Sequence, residues 1–213
     1  MRDFPFFTTE YGVASLLLKE VPYRQEAYII LQSTEEPEAL LKEFVSFCRM
    51  VGAEKIYARG HDCLEAYPLH TIIYEMHGQA QVDREALANL FPVTKETVAR
   101  WREISNASMR EIDCAATQTS ADEKQILSYG GAYFVHDEGE LLGIGLMSGN
   151  ELMQICAVRK GAGGQVLNTL LSTVEGEQVH LEVASTNLRA IRFYEKHGFI
   201  KTGEKYRWYR VHP

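Results

Sequence analysis

No apolar run in this 213-residue chain approaches the roughly 20 residues that a helix needs to span a bilayer. The opening Met-Arg-Asp-Phe-Pro-Phe-Phe lacks the apolar core and small-residue cleavage site of a secretory leader, so no signal peptide is expected. A basic excess is missing as well. With 22 Lys+Arg against 29 Asp+Glu, a net charge of −7 and a pI near 5.5, the chain argues against a nucleic-acid-binding surface. Cysteine is sparse and unpatterned. Cys48, Cys63, Cys114 and Cys156 show no Cys-x-x-Cys spacing, and two of them lie in apolar runs, so they read as reduced thiols of a cytosolic protein. His61, Asp62 and Cys63, even with His70 and His77, match no structural zinc spacing, and no metal is expected.

What is present is apolar content of 46%, enough to bury one sizeable core or two smaller ones. The C-terminal half parses readily. A helix is predicted from Val93 to about Asn106, with Val98, Trp101 and Ile104 as its stripe, and a second near Ala121–Tyr129. Strands follow at Ala132–His136, Leu141–Met147 and Leu152–Val158, joined by turns at Asp137–Glu140 and Ser148–Asn150. A helix carrying Val166, Leu167, Leu170, Leu171 and Val174 comes next, then a strand over Val179–Val183, a helix from Asn187, and a closing strand from Phe199. The N-terminal half repeats part of this order: strands at Gly12–Leu18 and Ala27–Leu31, a helix over Pro37–Val51 and a strand at Lys55–Ala58. Residues Gln79–Leu90 are the expected junction, giving domains over 1–88 and 89–213.

Two segments carry chemistry. The turn Arg159-Lys160-Gly161-Ala162-Gly163-Gly164 joins a strand to a helix. Bare backbone N–H groups and the helix dipole make such a turn an anion site. It does not fit a dinucleotide fingerprint, because Val166 stands where the third glycine would be, and it lacks the Gly-Lys-Ser/Thr of a P-loop. Downstream, at 100° per residue, Asn187, Ala190, Ile191 and Tyr194 share one helix face, with Arg189, Arg192 and Lys196 opposite and Gly198 as the stop. The matching turn of the first half, Gln32–Glu36, has no glycine. Its Glu35 and Glu36 would repel a phosphate from that helix end.

Together the two segments resemble the GCN5-related N-acetyltransferase (GNAT) superfamily. The family's cofactor loop reads Gln/Arg-x-x-Gly-x-Gly/Ala. Arg159 and Gly164 match it, and Ala162 stands for the first glycine. Its next element often reads Asn-x-x-Ala-x-x-x-Tyr-x-x-x-Gly-Phe, matched by Asn187, Ala190, Tyr194, Gly198 and Phe199. The resemblance covers about residues 92–213 and departs from the family in a shortened Val-x-Pro lead-in. It implies an α/β (α+β) GNAT fold, a mixed and mostly antiparallel sheet flanked by helices, preceded by a smaller, truncated GNAT-like half that has lost cofactor binding.

The resemblance further implies acetyl-CoA, or another acyl-CoA, in a splay between two strands. Backbone groups of Ile155, Ala157 and Val158 would hold the pantetheine arm, and Arg159, Lys160, Gly161, Ala162, Gly163, Gly164 and Gln165 would cradle the pyrophosphate. Asn187 would cap its helix and contact the pantetheine. The expected activity is direct acyl transfer to a primary amine in a ternary complex, with Tyr194 as general acid. A phenol is protonated at neutral pH, and this one is positioned by a helix. The base is open among Glu182, His180 on the same strand face, and Glu151. A catalytically silent acyl-CoA sensor or interaction module on the same fold is the alternative. The expected partner is a small-molecule or peptide amine, with no membrane or nucleic acid, and the chain is a cytoplasmic monomer or homodimer.

Overall fold

The computed structural model describes residues 5–174 and 176–212. Packing divides the chain into two compact units, one holding residues up to Ile73 together with those from Glu204, the other Tyr74–Gly203.

In the first unit, strand β1 (Phe6–Thr9) pairs antiparallel with β2 (Gly12–Leu17), and β2 with β3 (Glu26–Ser33). A single turn, α1 (Val21–Arg24), carries Pro22 as its second residue and bridges β2 and β3. Helix α2 (Pro37–Met50) starts on a proline, tolerated where an N–H has no helical partner. It buries Leu40, Leu41, Phe44 and Cys48, the 3–4 spacing of one helix face. It returns the chain to β4 (Lys55–Arg59), which lies parallel to β3 from Glu26↔Lys55 to Ile30↔Arg59. Residues 26–31 of β3 are all buried, as expected of a strand covered on both faces. Along its other edge, Ile56–Ala58 of β4 pair antiparallel with Tyr209–His212 of the closing strand β11 (Ile200–His212).

The second unit takes the C-terminal part of β5 (Leu69–Gln79), then β6 (Asn89–Pro92), α3 (Val98–Met109), α4 (Glu123–Ser128), β7 (Gly131–Asp137), β8 (Glu140–Ser148), β9 (Glu151–Ala157), α5 (Gly163–Leu171), β10 (Gln178–Ala184) and α6 (Leu188–Lys196). Its strand order is β11-β5-β10-β9-β8-β7-β6. One face carries the core under α5 and α6, with Leu142, Leu152, Val166, Leu170, Leu181 and Phe199 buried. The other packs Ile144, Leu146 and Cys156 against Val98, Trp101 and Ile126 of α3 and α4. The Trp101 indole donates to the Tyr133 carbonyl at 3.1 Å, so the largest buried side chain leaves no donor orphaned.

The helix predicted from Val93 begins five residues later. Val93 instead extends the sheet edge, its N–H donating to Ala132 O at 2.9 Å, and a Thr94–Thr97 turn precedes α3. The packing boundary also falls elsewhere than the expected 88/89. Residues beyond 74 are tied to α5, with Asp83 N–H donating to Asn168 Oδ1 (2.8 Å) and Ala88 N–H to Thr169 Oγ1 (3.0 Å). The chain's last strand meanwhile pairs with β4 of the first unit.

Candidate active site

Strands β9 and β10 run parallel yet pair at a single position, His180↔Glu151, with His180 N–H donating to Asn150 O at 3.1 Å. Beyond that point their C-terminal ends diverge. The edge of β9 facing the opening is set by its pairing with β8. Val158 N–H and Arg159 N–H both donate to Leu142 O, at 2.9 and 3.1 Å, so alternation turns the N–H groups of Ile155 and Ala157 the other way. The Val158 amide is therefore engaged with β8, and of that residue the exposed side chain faces out. An extra residue, Met153, breaks the β8–β9 register between Leu146↔Gln154 and Met147↔Leu152. A bulge of this kind re-aims the side chains after it. Leu152 goes to the α5 face, while Gln154 and Cys156 go to the α3 face.

At the mouth of the opening, Gly161 turns the chain at φ +86 and Ala162 precedes α5. The first intrahelical bond runs from Val166 N–H to Ala162 O (2.9 Å). The N–H groups of Gly163, Gly164 and Gln165 thus precede the ladder and point out of the helix end. Arg159 and Lys160 are exposed beside them, Arg159 within 3.4 Å of Glu140. The helix reaches this place by lying close on β8: a Cβ on Gly143 would overlap the Cys156 carbonyl and one on Gly145 would overlap Leu170. A cationic turn, three outward N–H groups and an open strand edge form a donor set suited to a phosphorylated, extended ligand.

Residues 98–199 match the family model "Acetyltransferase (GNAT) family". That segment, a little under half of the chain, fits a GNAT domain. Solved structures share the fold over nearly the whole chain. A functionally unknown protein from Staphylococcus epidermidis is 11% identical with a TM-score of 0.64, over 100% of this chain and 96% of that one. The GCN5-related N-acetyltransferase of Sphaerobacter thermophilus is 11% identical with a TM-score of 0.56, over 94% and 77%. A tandem GNAT protein from the clavulanic acid biosynthesis pathway is 14% identical with a TM-score of 0.54, over 95% and 80%. No curated protein matches by sequence.

Within the GNAT domain, α6 buries the face anticipated from its spacing. Asn187 caps it, its Oδ1 accepting from Ala190 N–H at 3.1 Å. Ala190, Ile191 and Tyr194 pack into the core, and Arg189, Arg192 and Lys196 are exposed. Tyr194 is 8% exposed and stacks edge to face with Phe193 and obliquely with Phe199, at 5.4 and 5.7 Å. Burial, and secondarily the nearby Cys156 sulfur, push its phenol well above the ordinary range. The helix also explains Gly163 and Gly164: a Cβ on the first would lie 3.2 Å from the Phe193 ring, and on the second 3.0 Å from His197 Nε2. The two glycines thus admit α6 as well as leaving backbone exposed.

On β10, Val179, Leu181 and Val183 enter the core, leaving His180 half-buried and Glu182 exposed on the opposite face. His180 has the His77 ring 6.0 Å away, a neighbour that spacing alone did not reveal. Glu151 lies at the closed end of the strand pair. Nor did the motifs point to the polar chain on the α3 face. Gln154 Nε2 donates to Ser105 Oγ at 2.6 Å, and Gln118 Nε2 donates to Gln154 Oε1 at 3.3 Å. Asn106 holds the Gln118 backbone through two bonds, at 2.8 and 2.9 Å. The loop after α3 is tied down by side-chain amides twelve residues apart, and Gln154 reaches it only because of the Met153 bulge.

Proposed function

We infer that this protein is an acyl-CoA-dependent N-acyltransferase, transferring acetyl from acetyl-CoA to a primary amine by direct attack. The observation that carries the reading is the parallel pair β9–β10 parting after one residue beside an uncapped helix end at Gly163–Gln165. The Ile155 and Ala157 edge would hold the pantetheine arm in this reading. Arg159, Lys160 and the turn from Gly161 to Gln165 would hold the pyrophosphate. Bound there, the acyl thioester supplies an electrophilic carbonyl and a sulfur leaving group.

The chain's own groups do the rest. A backbone N–H on the open edge of β9 stabilises negative charge developing on the carbonyl oxygen. Tyr194 keeps its proton at Oη and donates it toward the sulfur. Since a thiol titrates near ~8.5 and this phenol is held above its usual range, the proton passes only as the sulfur gains charge. An alkyl ammonium titrates near ~10, so a base must neutralise it first. Glu182 takes that role, with His180 and its neighbour His77 on the same face as a second route for the proton. The acidic balance of −7 favours a cationic acceptor through steering.

The reading is tested by calorimetry with acetyl-CoA, followed by turnover on a panel of amines, polyamines, amino acids and peptides. At a hundredfold excess over its dissociation constant, acetyl-CoA should add about 2.7 kcal/mol of stability. Binding with no turnover on any amine would leave the silent acyl-CoA module as the function, and no binding would remove both.

A further inference from the structure

Helix α6 ends over the open end of α5. His197, its C-terminal cap, stacks obliquely on the Phe193 ring at 4.4 Å, and its Nδ1 lies 2.7 Å from the Phe193 carbonyl oxygen. A carbonyl oxygen only accepts, so the hydrogen of this bond sits on Nδ1. The bond and the ring contact together fix which edge of the imidazole is turned outward. A Cβ on Gly164 would lie 3.0 Å from Nε2 and 3.8 Å from Cε1, so this edge fills the space that a side chain at Gly164 would take. In an α-helix every Cα–Cβ bond tilts toward the N-terminus. Nε2 therefore stands on the open side of α5, beside the Gly164 N–H that precedes the helical ladder. It has no hydrogen-bond partner among the described residues.

Two other side chains of this turn are already engaged. Arg159 Nη1 lies 3.4 Å from Glu140, and Gln165 Nε2 donates to Asp137 at 3.1 Å, both acids belonging to the hairpin of β7 and β8. The charges around the ring balance. Arg159 and Lys160 stand against Asp137 and Glu140, and Lys196 stands against Glu195 on α6 itself, while the first turn of α5 has no ionisable side chain. A pyrophosphate arriving at Gly163–Gln165 is then an uncompensated charge. With the hydrogen held on Nδ1, a neutral imidazole turns the Nε2 lone pair toward that anion, which is repulsive. An imidazolium turns an N–H toward it instead and makes a charge-assisted hydrogen bond. The two ring states thus act with opposite sign at one place.

We propose that His197 is a phosphate ligand of the acyl-CoA site and that cofactor binding is coupled to its protonation. The inference rests on the acyl-CoA reading above. One proton passes from solvent to Nε2, and the N–H so formed donates to a pyrophosphate oxygen that also accepts from Gly164. Because linkage is reciprocal, acetyl-CoA should bind more tightly as pH falls through the range, about pH 5 to 8, in which imidazoles change charge. The rate at saturating acetyl-CoA is untouched, since affinity alone changes.

The experiment is calorimetry of the full chain with acetyl-CoA at about pH 6 and pH 8, on either side of that change. A repeat midway between them, in two buffers of different ionisation enthalpy, counts the protons taken up. The cofactor's phosphate monoester titrates in the same range, so the quantity read is the difference between the parent and His197→Gln. From the higher to the lower pH the parent should gain about fivefold or more in affinity beyond any gain of the variant, and it should take up an extra fraction of a proton. At the lower pH His197→Gln should bind about tenfold more weakly than the parent, and at the higher pH nearly as well. His197→Lys, cationic throughout, should likewise lose the extra proton uptake, which keeps the test open if the glutamine disturbs α6. Binding by the parent and both variants with one pH profile and one proton count would overturn the inference alone. No binding of acetyl-CoA to the parent at either pH would remove the acyl-CoA reading and this inference with it.

Discussion

Each unit contains a parallel strand pair linked by one helix, and the two pairs end differently. In the first, β3 and β4 stay in register over five residues, from Glu26↔Lys55 to Ile30↔Arg59. In the second, β9 and β10 pair at His180↔Glu151 and then part. The helix ends differ to match. Helix α2 opens with Glu36 before Pro37 and Glu38 in its first turn, with no side-chain cap from Glu36, whereas α5 opens on glycines with no acid in its first turn. A closed strand edge has no backbone groups to offer a ligand, and an acidic helix start opposes the dipole that would attract an anion. The difference teaches that one order of elements can make either a sealed sheet or a cleft. The choice rests on a few residues at the strand ends.

The largest expected effect comes from disturbing what props the second pair open. A Cβ on Gly143 would overlap the Cys156 carbonyl and press on Val166, so Gly143→Ala must shift β9 or α5. We expect a stability loss of at least about 1–3 kcal/mol and loss of acetyl-CoA binding, read by thermal melting and calorimetry. A variant that melts and binds like the parent would show that the opening does not depend on this contact. Next is Tyr194→Phe. Removing a general acid should cut turnover about 10²–10⁴-fold with acetyl-CoA affinity nearly unchanged. Because burial raises the Tyr194 pKa, its protonated form persists above the usual phenol range, near ~10. The rate should therefore climb with pH as the amine loses its proton and show no falling limb below that range. A falling limb near pH ~8–9 would assign the acid to another group, since a phenol cannot be lost there.

Much of this contrast was legible beforehand. The alternation of Val179, Leu181 and Val183 and the one-sided set Ala190, Ile191 and Tyr194 fell where packing puts them, because single-face burial imposes a period. Glu35 and Glu36 already marked the first turn as hostile to phosphate. What escaped had non-local causes. The residues of β5, His70 to Gln79, mix polar and apolar types and gave no clear run, since its neighbours in the sheet are supplied by β10 and β11. The bulge at Met153 is a register mismatch between two strands, so the polar chain Ser105–Gln154–Gln118 had no signature along the sequence. The parting of β9 from β10 is likewise a property of pairing. Only the resemblance of Asn187–Phe199 to a known motif suggested it.

A smaller effect tests whether charge or strand geometry decides cofactor binding. Lys160→Glu places a carboxylate at the open end of α5 and should weaken acetyl-CoA binding about tenfold, less at high salt. The reciprocal change in the first unit, Glu36→Lys, should create no binding there, because the β3–β4 edge is paired through Arg59. Binding gained at a second site in Glu36→Lys would mean that repulsion alone had silenced the first half.

The last contrast is between two buried thiols. Cys48 on α2 is fully enclosed and burial pushes its pKa up to about 11. Burial raises Cys156 too, but hydrogen bonds from Gln154 and Ser108 oppose the rise. A thiol whose folded pKa lies above its unfolded value near ~8.5 contributes stability in full below that value and loses it as pH climbs toward the folded one. The first unit should therefore weaken between pH ~8.5 and ~11, by about 3 kcal/mol from Cys48, while Cys156 contributes less to the second. Chemical denaturation followed across that range in the parent and in Cys48→Ala would measure it. The variant carries a constant penalty for its cavity, about 1 kcal/mol, so the signature is the slope. The parent should lose stability with rising pH more steeply than Cys48→Ala, and parallel curves would mean that the Cys48 thiolate is tolerated where it lies.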